Sequence, residues 1–144
     1  MKTRVHISLP VTDVEASARF YEKLFGQGPT KRKLDYANFR LDRPALHLSL
    51  VQTSAPPTQP GAHYGVELFE DADLTAWRER VESAQIPMET EENVTCCYAV
   101  ADKVWVADPE GNSWEFWVRH AEAEQMSEPA TATTESCCDP ACCT

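Results

Sequence analysis

Long apolar runs, basic charge and glycine are all scarce in this 144-residue sequence, which contains only five glycines. No stretch approaches the roughly 20 apolar residues of a membrane-spanning helix, and the first residues lack the apolar region of a secretory signal. Only 13 basic residues stand against 23 acidic ones, so the formal net charge is -10. Because nucleic-acid affinity depends heavily on Lys and Arg, we expect a cytoplasmic protein that binds small molecules or soft metals, with no nucleic-acid or membrane partner.

Widely spaced cysteines are also lacking. The six cysteines form three adjacent pairs, which are Cys96-Cys97, Cys137-Cys138 and Cys142-Cys143. Neighbouring cysteines cannot close long loops, so the pattern argues against a small secreted domain held together by disulfides.

The charge distribution indicates where the folded domain ends. Residues 121–144 contain five acidic residues and no Lys or Arg, and their Ala, Thr, Ser and Pro content offers little to bury. We therefore predict one folded domain over 1–120, followed by a disordered, acidic, cysteine-containing tail. The proline-rich segment 54–61 reads as a linker that separates a first module, 1–53, from a second, 62–120.

The first module reads as a strand, a helix and three further strands. Apolar residues alternate up to Pro10 with His6 on the polar side, and then recur at helical spacing after Asp13 until Gly26. The three further strand candidates are 30–34, 36–41 and 45–52.

The second module repeats this order. At a constant offset of 57 residues, His6 corresponds to His63, Phe20 to Trp77 and Leu24 to Val81. An internal repeat explains this agreement, and coincidence between two amphipathic units is the alternative. The predicted elements are a strand at 63–68, a helix at 71–86, and strands at 88–93, 103–107 and 113–118.

Three polar side chains recur on one face of the predicted sheets. In the last strand Trp114, Phe116 and Val118 form the apolar face, so Glu115 points to the other face, as do His6 and His63 in their own strands. Two imidazoles and a carboxylate form the facial triad of non-haem Fe(II) sites. A hydrogen-bonded histidine or a solvated glutamate is the ordinary alternative for each residue alone.

His47 falls on the same inner face, and we predict that it occupies the place in the first half that Glu115 holds in the second. Three roles are open for it: a fourth ligand, a hydrogen-bond partner that orients a ligand, or a substrate contact.

Two longer motifs carry a family resemblance. They are the segment 13–26 that follows His6, and the segment 106–116 that contains Asp108-Pro109-Glu110-Gly111-Asn112 and Glu115. With these, residues 3–119 resemble the vicinal oxygen chelate superfamily, which includes glyoxalase I, fosfomycin-resistance proteins and extradiol dioxygenases. The resemblance implies an α+β fold in which two βαβββ modules form a cup-shaped mixed sheet, with a divalent metal on His6, His63 and Glu115.

A closer resemblance rests on the segments 93–99 and 102–106 and on the tail cysteine pairs. These features are similar to the organoarsenical carbon–arsenic lyases and the related cadmium-induced proteins. This resemblance implies an Fe(II)- and O2-dependent dioxygenase that demethylates or dearylates trivalent arsenicals such as methylarsonous acid.

Cys96 and Cys97 fall in a stretch of about eleven residues that the second half has and the first lacks. Two thiolates can replace both exchangeable hydroxyls of a trivalent arsenical and leave its carbon–arsenic bond intact, and soft donors suit such a centre. A buried cysteine, a zinc site and a strained disulfide between neighbours are the alternatives. Lys103 and Tyr98, close to this pair, are further candidates for orienting oxygen or the organic group, and solvated or packing roles are equally open.

The tail pairs Cys137-Cys138 and Cys142-Cys143 either collect arsenic or cadmium for delivery to Cys96 and Cys97, or belong to a dispensable tail.

The sequence therefore predicts a carbon–arsenic lyase of dioxygenase type, in which Fe(II) is held by His6, His63 and Glu115 and converts organoarsenicals to arsenite with O2. The rivals are a non-catalytic protein that sequesters Cd(II) or As(III), and a glyoxalase-like metal-dependent transferase. A monomer and a homodimer are both compatible with the sequence.

Overall fold

The computed structural model describes residues 3–55, 63–96, 98–124 and 126–127. Most of the predicted linker, most of the predicted tail, Cys97 and all four tail cysteines lie outside these residues. Within the described ranges, no helix has the length and apolar character needed to cross a membrane.

The chain divides into two compact units. The first comprises Met1–Thr58 and Asp108–Gly111, and the second Gln59–Ala107 and Asn112–Thr144. The first unit contains β1 (Val5–Val11), α1 (Val14–Phe25), β2 (Lys31–Arg32), β3 (Tyr36–Arg40) and β4 (Leu46–Gln52). The second contains β5 (His63–Leu68), α2 (Asp71–Ser83), β6 (Glu89–Cys96), β7 (Ala99–Ala107) and β8 (Ser113–Glu122).

Each unit has one four-stranded mixed sheet with the same topology. The strand orders are β1-β4-β3-β2 and β5-β8-β7-β6. In each sheet the first strand pairs with the last in parallel, and the other pairings are antiparallel. The predicted α+β class with two βαβββ units is confirmed, whereas the cup shape concerns the arrangement of the units and stays a prediction.

Helix α1 begins and ends at strong signals. The Asp13 side chain accepts a hydrogen bond from the Ala16 backbone N–H, and Gly26 ends the helix in the left-handed conformation at φ 66°. The apolar face of α1 packs on its sheet, where Tyr21 and Phe25 meet the ring of Phe39 at centroid distances of 6.3 and 6.2 Å.

Helix α2 packs on the second sheet in the same way but with fewer buried residues. Leu74 and Val81 are its buried positions, and the Trp77 ring stacks on Phe116 of β8 at 4.1 Å. Because side chains alternate along a strand, Phe116 on the helix side leaves Glu115 on the opposite face, as the sequence predicts.

The segment 108–111 belongs to the first unit, although it connects two strands of the second. Asp108 accepts a buried 2.5 Å hydrogen bond from the Tyr21 hydroxyl. The Glu110 carboxylate accepts hydrogen bonds from the backbone N–H and the hydroxyl of Thr12, at 2.5 and 2.7 Å. The turn motif thus fixes the start and the buried face of α1.

The β6–β7 hairpin is longer than the sequence predicts. The predicted strands stop at residue 93 and begin again at residue 103, but β6 continues to Cys96 and β7 begins at Ala99. Asn93 adopts a positive φ of 51° where the pairing register shifts, and a β-bulge of this kind lets a strand continue beyond an irregular residue. The inserted stretch is therefore a hairpin extension, and Cys96 lies at its end.

Strand β8 also extends two residues past the predicted domain boundary, to Glu122. Beyond it, the Ala123 N–H donates a 2.8 Å hydrogen bond to the Tyr98 carbonyl, and Ser127 forms a β-bridge with Cys96. The first residues of the predicted tail therefore run along the cysteine hairpin.

Candidate active site

The centre of the site in the second unit is the carboxylate of Glu115. Strand β5 presents His63 and β8 presents Glu115 on the sheet face that α2 leaves open, and His63 Nε2 lies 3.4 Å from Glu115 Oε1. Glu115 is only 9% exposed. A buried carboxylate requires partners that compensate its charge, so the other contacts of Glu115 define the site.

Lys103 of β7 provides the compensating charge. Its Nζ donates a 3.1 Å hydrogen bond to Glu115 Oε2, and the residue is 7% exposed. Burial alone would lower the pKa of Lys103, but the charge and hydrogen bond of Glu115, together with the charges of Cys96 and Glu91, raise that pKa. Lys103 is therefore a charged partner of Glu115. The sequence predicted that Lys103 orients oxygen or the organic group, and it did not predict this contact.

Trp105, which sequence reasoning missed, lies beside this pair. Its indole N–H donates a 3.2 Å hydrogen bond to Glu91, its ring meets the His63 ring edge-on at 5.4 Å, and Lys103 Nζ lies 5.4 Å from its centroid. The sequence could have indicated Trp105, because alternation along β7 places Lys103 and Trp105 on one face.

Cys96 lies on the same face at the end of β6. It pairs with Ala99 across the hairpin, and alternation from Ala99 to Lys103 keeps both on one side of β7. The side chain of Cys96 is half-buried, and its charge is among the causes that raise the pKa of Lys103. Tyr98, the next described residue, is 54% exposed; the other member of the pair, Cys97, lies outside the described residues.

The first unit carries a cluster of polar side chains without a carboxylate at corresponding places. His6 Nε2 lies 3.3 Å from Ser49 Oγ, and the Tyr36 hydroxyl lies 3.1 Å from the same oxygen. The Asn38 amide donates a 3.0 Å hydrogen bond to that hydroxyl. The Ser49 and Asn38 contacts lower the pKa of Tyr36.

His47 stacks on His6 at 4.5 Å. Burial, followed by the charges of His6 and Arg40, lowers the pKa of His47, and its Nε2 is buried without a hydrogen-bond partner among the described residues.

The matching of His47 with Glu115 is wrong by two residues. His6 pairs with His47 in the first sheet, whereas His63 pairs with Ser113 in the second. Glu115 pairs with Gly65, which corresponds to Ser8 pairing with Ser49. The counterpart of Glu115 is therefore Ser49, and strand alternation could not reveal the error because a shift of two residues keeps the same face.

The donor atoms of His63 and Glu115 fit a shared metal ion. Two ligands that are each about 2.1 Å from an ion lie roughly 3 Å apart, close to the 3.4 Å found here. In the part of the chain that the structure describes, no three His, Cys, Asp or Glu side chains form a group able to hold a metal. His6 lies in the first unit, and its role as the third ligand stays a prediction.

Comparisons with known proteins agree with this fold. The Glyoxalase/Bleomycin resistance protein/Dioxygenase superfamily matches residues 3–116. A glyoxalase/bleomycin resistance protein/dioxygenase from Alicyclobacillus acidocaldarius superposes with a TM-score of 0.69, at 15% identity, over 81% of this chain and 90% of that one. Lactoylglutathione lyase from Agrobacterium tumefaciens has a TM-score of 0.59, at 22% identity, over 82% and 94% of the two chains. At these identities the likeness concerns the fold alone.

The curated relatives are more similar in sequence. A trivalent organoarsenical cleaving enzyme from Thermomonospora curvata is 38% identical over 96% of this chain and 89% of that protein. The cadmium-induced protein CadI from Mycobacterium tuberculosis is 36% identical over 95% and 93%. The chain belongs to the glyoxalase/bleomycin resistance protein/dioxygenase superfamily, the vicinal oxygen chelate proteins that its sequence resembles.

Proposed function

We propose that this chain is a metal-dependent enzyme that cleaves the carbon–arsenic bond of trivalent organoarsenicals, such as methylarsonous acid, and releases arsenite. One structural observation carries the proposal: Cys96 shares a sheet face with the His63–Glu115 pair and with Lys103. A soft thiol donor thereby lies on the same side of the sheet as a metal-compatible pair of nitrogen and oxygen donors. The 38% identity to a trivalent organoarsenical cleaving enzyme supports arsenic as the element that the thiol binds.

Fe(II) is the proposed metal, with His6, His63 and Glu115 as its ligands. When bound, it would supply the activation of O2 that oxidative cleavage requires. Two imidazoles and one carboxylate would fill three coordination positions and leave the others free for further ligands. Lys103 Nζ lies 3.1 Å from Glu115 Oε2 and compensates the charge of the buried carboxylate, while Oε1 stays on the His63 side.

Cys96 and Cys97 are the proposed arsenic ligands. Two thiols replace the two hydroxyls of the arsenical, two water molecules leave, and the carbon–arsenic bond stays intact. Lys103 favours this exchange, because a nearby ammonium stabilises the thiolate form of Cys96. Holding the arsenical beside the metal ligands would supply proximity, which contributes several kcal/mol in well-oriented reactions.

Tyr98 is proposed to cover the organic group, since it is exposed next to the cysteine pair. His47 is proposed to orient His6 through ring stacking. Cys137, Cys138, Cys142 and Cys143 lie outside the described residues, and for them delivery of arsenic to the hairpin stays a prediction.

The main competing function is sequestration of Cd(II) or As(III) without turnover, and the similarity to a cadmium-induced protein is the observation that favours it. The two functions differ in one product. Full-length protein is reconstituted anaerobically with Fe(II), given methylarsonous acid and then exposed to air, and the arsenic species are separated and quantified. Repeated release of arsenite supports the lyase, whereas stoichiometric retention of intact methylarsonous acid would establish sequestration.

A matched pair of variants tests the cysteine. Cys96→Ser is expected to abolish arsenite release while the protein still binds Fe(II), because only the arsenic ligand is lost. Thr95→Ser, at the neighbouring buried position on the other face of β6, is expected to retain activity. Full activity of Cys96→Ser would remove this residue from the site.

A further inference from the structure

A glycine lies directly opposite Glu115. In the parallel pair β5–β8, Gly65 is the register partner of Glu115. A Cβ atom at position 65 would lie 2.8 Å from Glu115 Cγ and 3.2 Å from Oε1. Separations below 3.0 Å essentially never occur for real Cβ atoms, so any larger residue at position 65 would displace the carboxylate.

The backbone of Gly65 does not itself require glycine. Among the glycines that the structure describes, those with positive φ are Gly26 and Gly111, so an alanine could adopt the conformation found at position 65. A glycine inside a strand weakens the strand and is common where another group approaches closely. The approaching group here is the side chain of Glu115.

Lys103 restrains the other end of that side chain. The side chains of Lys103 and Glu115 are 9% and 11% exposed, and the 3.1 Å contact uses Oε2. The other oxygen, Oε1, faces His63 at 3.4 Å. The two carboxylate oxygens therefore have separate partners, one cationic and one an imidazole.

The first unit has the same topology but no carboxylate at this position, and it has neither the glycine nor the lysine. The register partners there are Ser8 and Ser49, and Tyr36 occupies the place of Lys103, two residues before the strand position opposite Ser49. The short hydroxyl side chain of Ser49 needs neither a glycine opposite it nor a neighbouring cation.

We propose that Gly65 and Lys103 are positioning residues that make Glu115 a ligand through one oxygen. Gly65 leaves the slot through which the side chain runs, and Lys103 retains Oε2, so that Oε1 alone is presented beside His63. The inference rests on the proposed function, in which Glu115 is a metal ligand. One-oxygen binding occupies one coordination position and leaves more positions for other ligands.

Gly65→Ala tests the slot, and Co(II), whose visible spectrum reports its ligands, serves as the metal probe on the full-length protein. We expect Gly65→Ala to lower the Co(II) affinity by about 10- to 100-fold, the range found when residues that orient metal ligands are changed. Gly28→Ala is the control, because a Cβ there would make only an ordinary 3.5 Å contact with Glu22. An affinity of Gly65→Ala equal to that of the wild type would overturn the inference.

Lys103→Met tests the other restraint, and it keeps the inference testable even if Gly65→Ala fails to fold. The ammonium of Lys103 repels a divalent cation, so removing it raises the metal affinity and partly offsets the affinity lost with the positioning. The readout is therefore the spectrum. We expect a weaker visible Co(II) absorption, because a carboxylate that binds through both oxygens raises the coordination number. Lys33→Met, an exposed lysine of the first unit, is expected to leave the spectrum unchanged.

The outcomes separate the inference from the function on which it rests. A wild-type protein that binds neither Co(II) nor Fe(II) would overturn both. A wild-type protein that binds the metal, with Lys103→Met giving the wild-type spectrum, would overturn the positioning role and leave the proposed function standing.

Discussion

The two units share one topology but differ in the polar centre of the open sheet face. In the first unit, His6, Ser49 and Tyr36 form a cluster without a carboxylate around one hydroxyl. In the second, the corresponding residues His63, Glu115 and Lys103 surround a carboxylate. Since the register positions correspond, the difference comes from side-chain chemistry. The shared strand pairing therefore sets where these side chains lie, and among the described residues only the second unit places a buried charge at these positions.

The largest expected effect follows from removing that charge. Glu115→Gln is expected to lower the affinity for Fe(II) or Co(II) by more than about 100-fold, which exceeds the usual effect of changing residues behind a ligand. Ser49→Ala removes the hydroxyl that contacts His6 and Tyr36 but no charge, and it is expected to lower the metal affinity by about 10-fold. Calorimetric titration measures both losses, and the control is Glu79→Gln, which changes an exposed carboxylate of α2. Equal losses of metal affinity for the variants at positions 49 and 115 would contradict the proposed difference between the two units.

The converse change places a carboxylate in the first unit. Ser49→Glu is expected to lower the free energy of unfolding by about 2–4 kcal/mol. Ser8, the register partner, would crowd the new side chain, and Tyr36 provides no positive charge where the second unit has Lys103. Urea denaturation measures the loss.

Adding Ser8→Gly and Tyr36→Lys to Ser49→Glu copies the second unit and is expected to recover at least part of that stability. A single variant Ser49→Glu as stable as the wild type would show that slot and cation are unnecessary.

A smaller difference concerns how the helices are anchored. Tyr21 of α1 donates a buried hydrogen bond to Asp108, and by the 57-residue offset Arg78 takes its place in α2. Tyr21→Phe is expected to cost about 1.5 kcal/mol, since the acceptor is a carboxylate. Thermal and urea unfolding measure this loss, and an unchanged stability would remove the 108–111 turn as an anchor of α1.

The smallest expected effect is at the helix starts. Asp13 caps α1 through its side chain, whereas Glu70 makes no side-chain capping bond to α2. Asp13→Ala is therefore expected to cost about 1 kcal/mol, and Glu70→Ala is expected to leave the unfolding midpoint almost unchanged. Equal costs in urea denaturation would contradict the assigned caps.

Much of the fold could be predicted from local pattern, and so could the pairing of His63 with Glu115. Alternation in β5 and β8 and the helical spacing of α1 are local signals, and they place both residues on the open face. The Lys103–Glu115 contact and the slot at Gly65 were missed because they depend on register between strands distant in sequence. The end of β6 was missed because Asn93 interrupts the alternation at a bulge.

The central claim is that the carboxylate of the second unit supports cleavage of an arsenical held by the cysteine hairpin. The most direct measurement is arsenic speciation in a single-turnover experiment, in which wild-type and Glu115→Gln protein carry bound methylarsonous acid, receive the same amount of Fe(II) and are exposed to air. We expect arsenite from the wild type and intact methylarsonous acid from Glu115→Gln. Equal arsenite from both proteins would contradict the central claim.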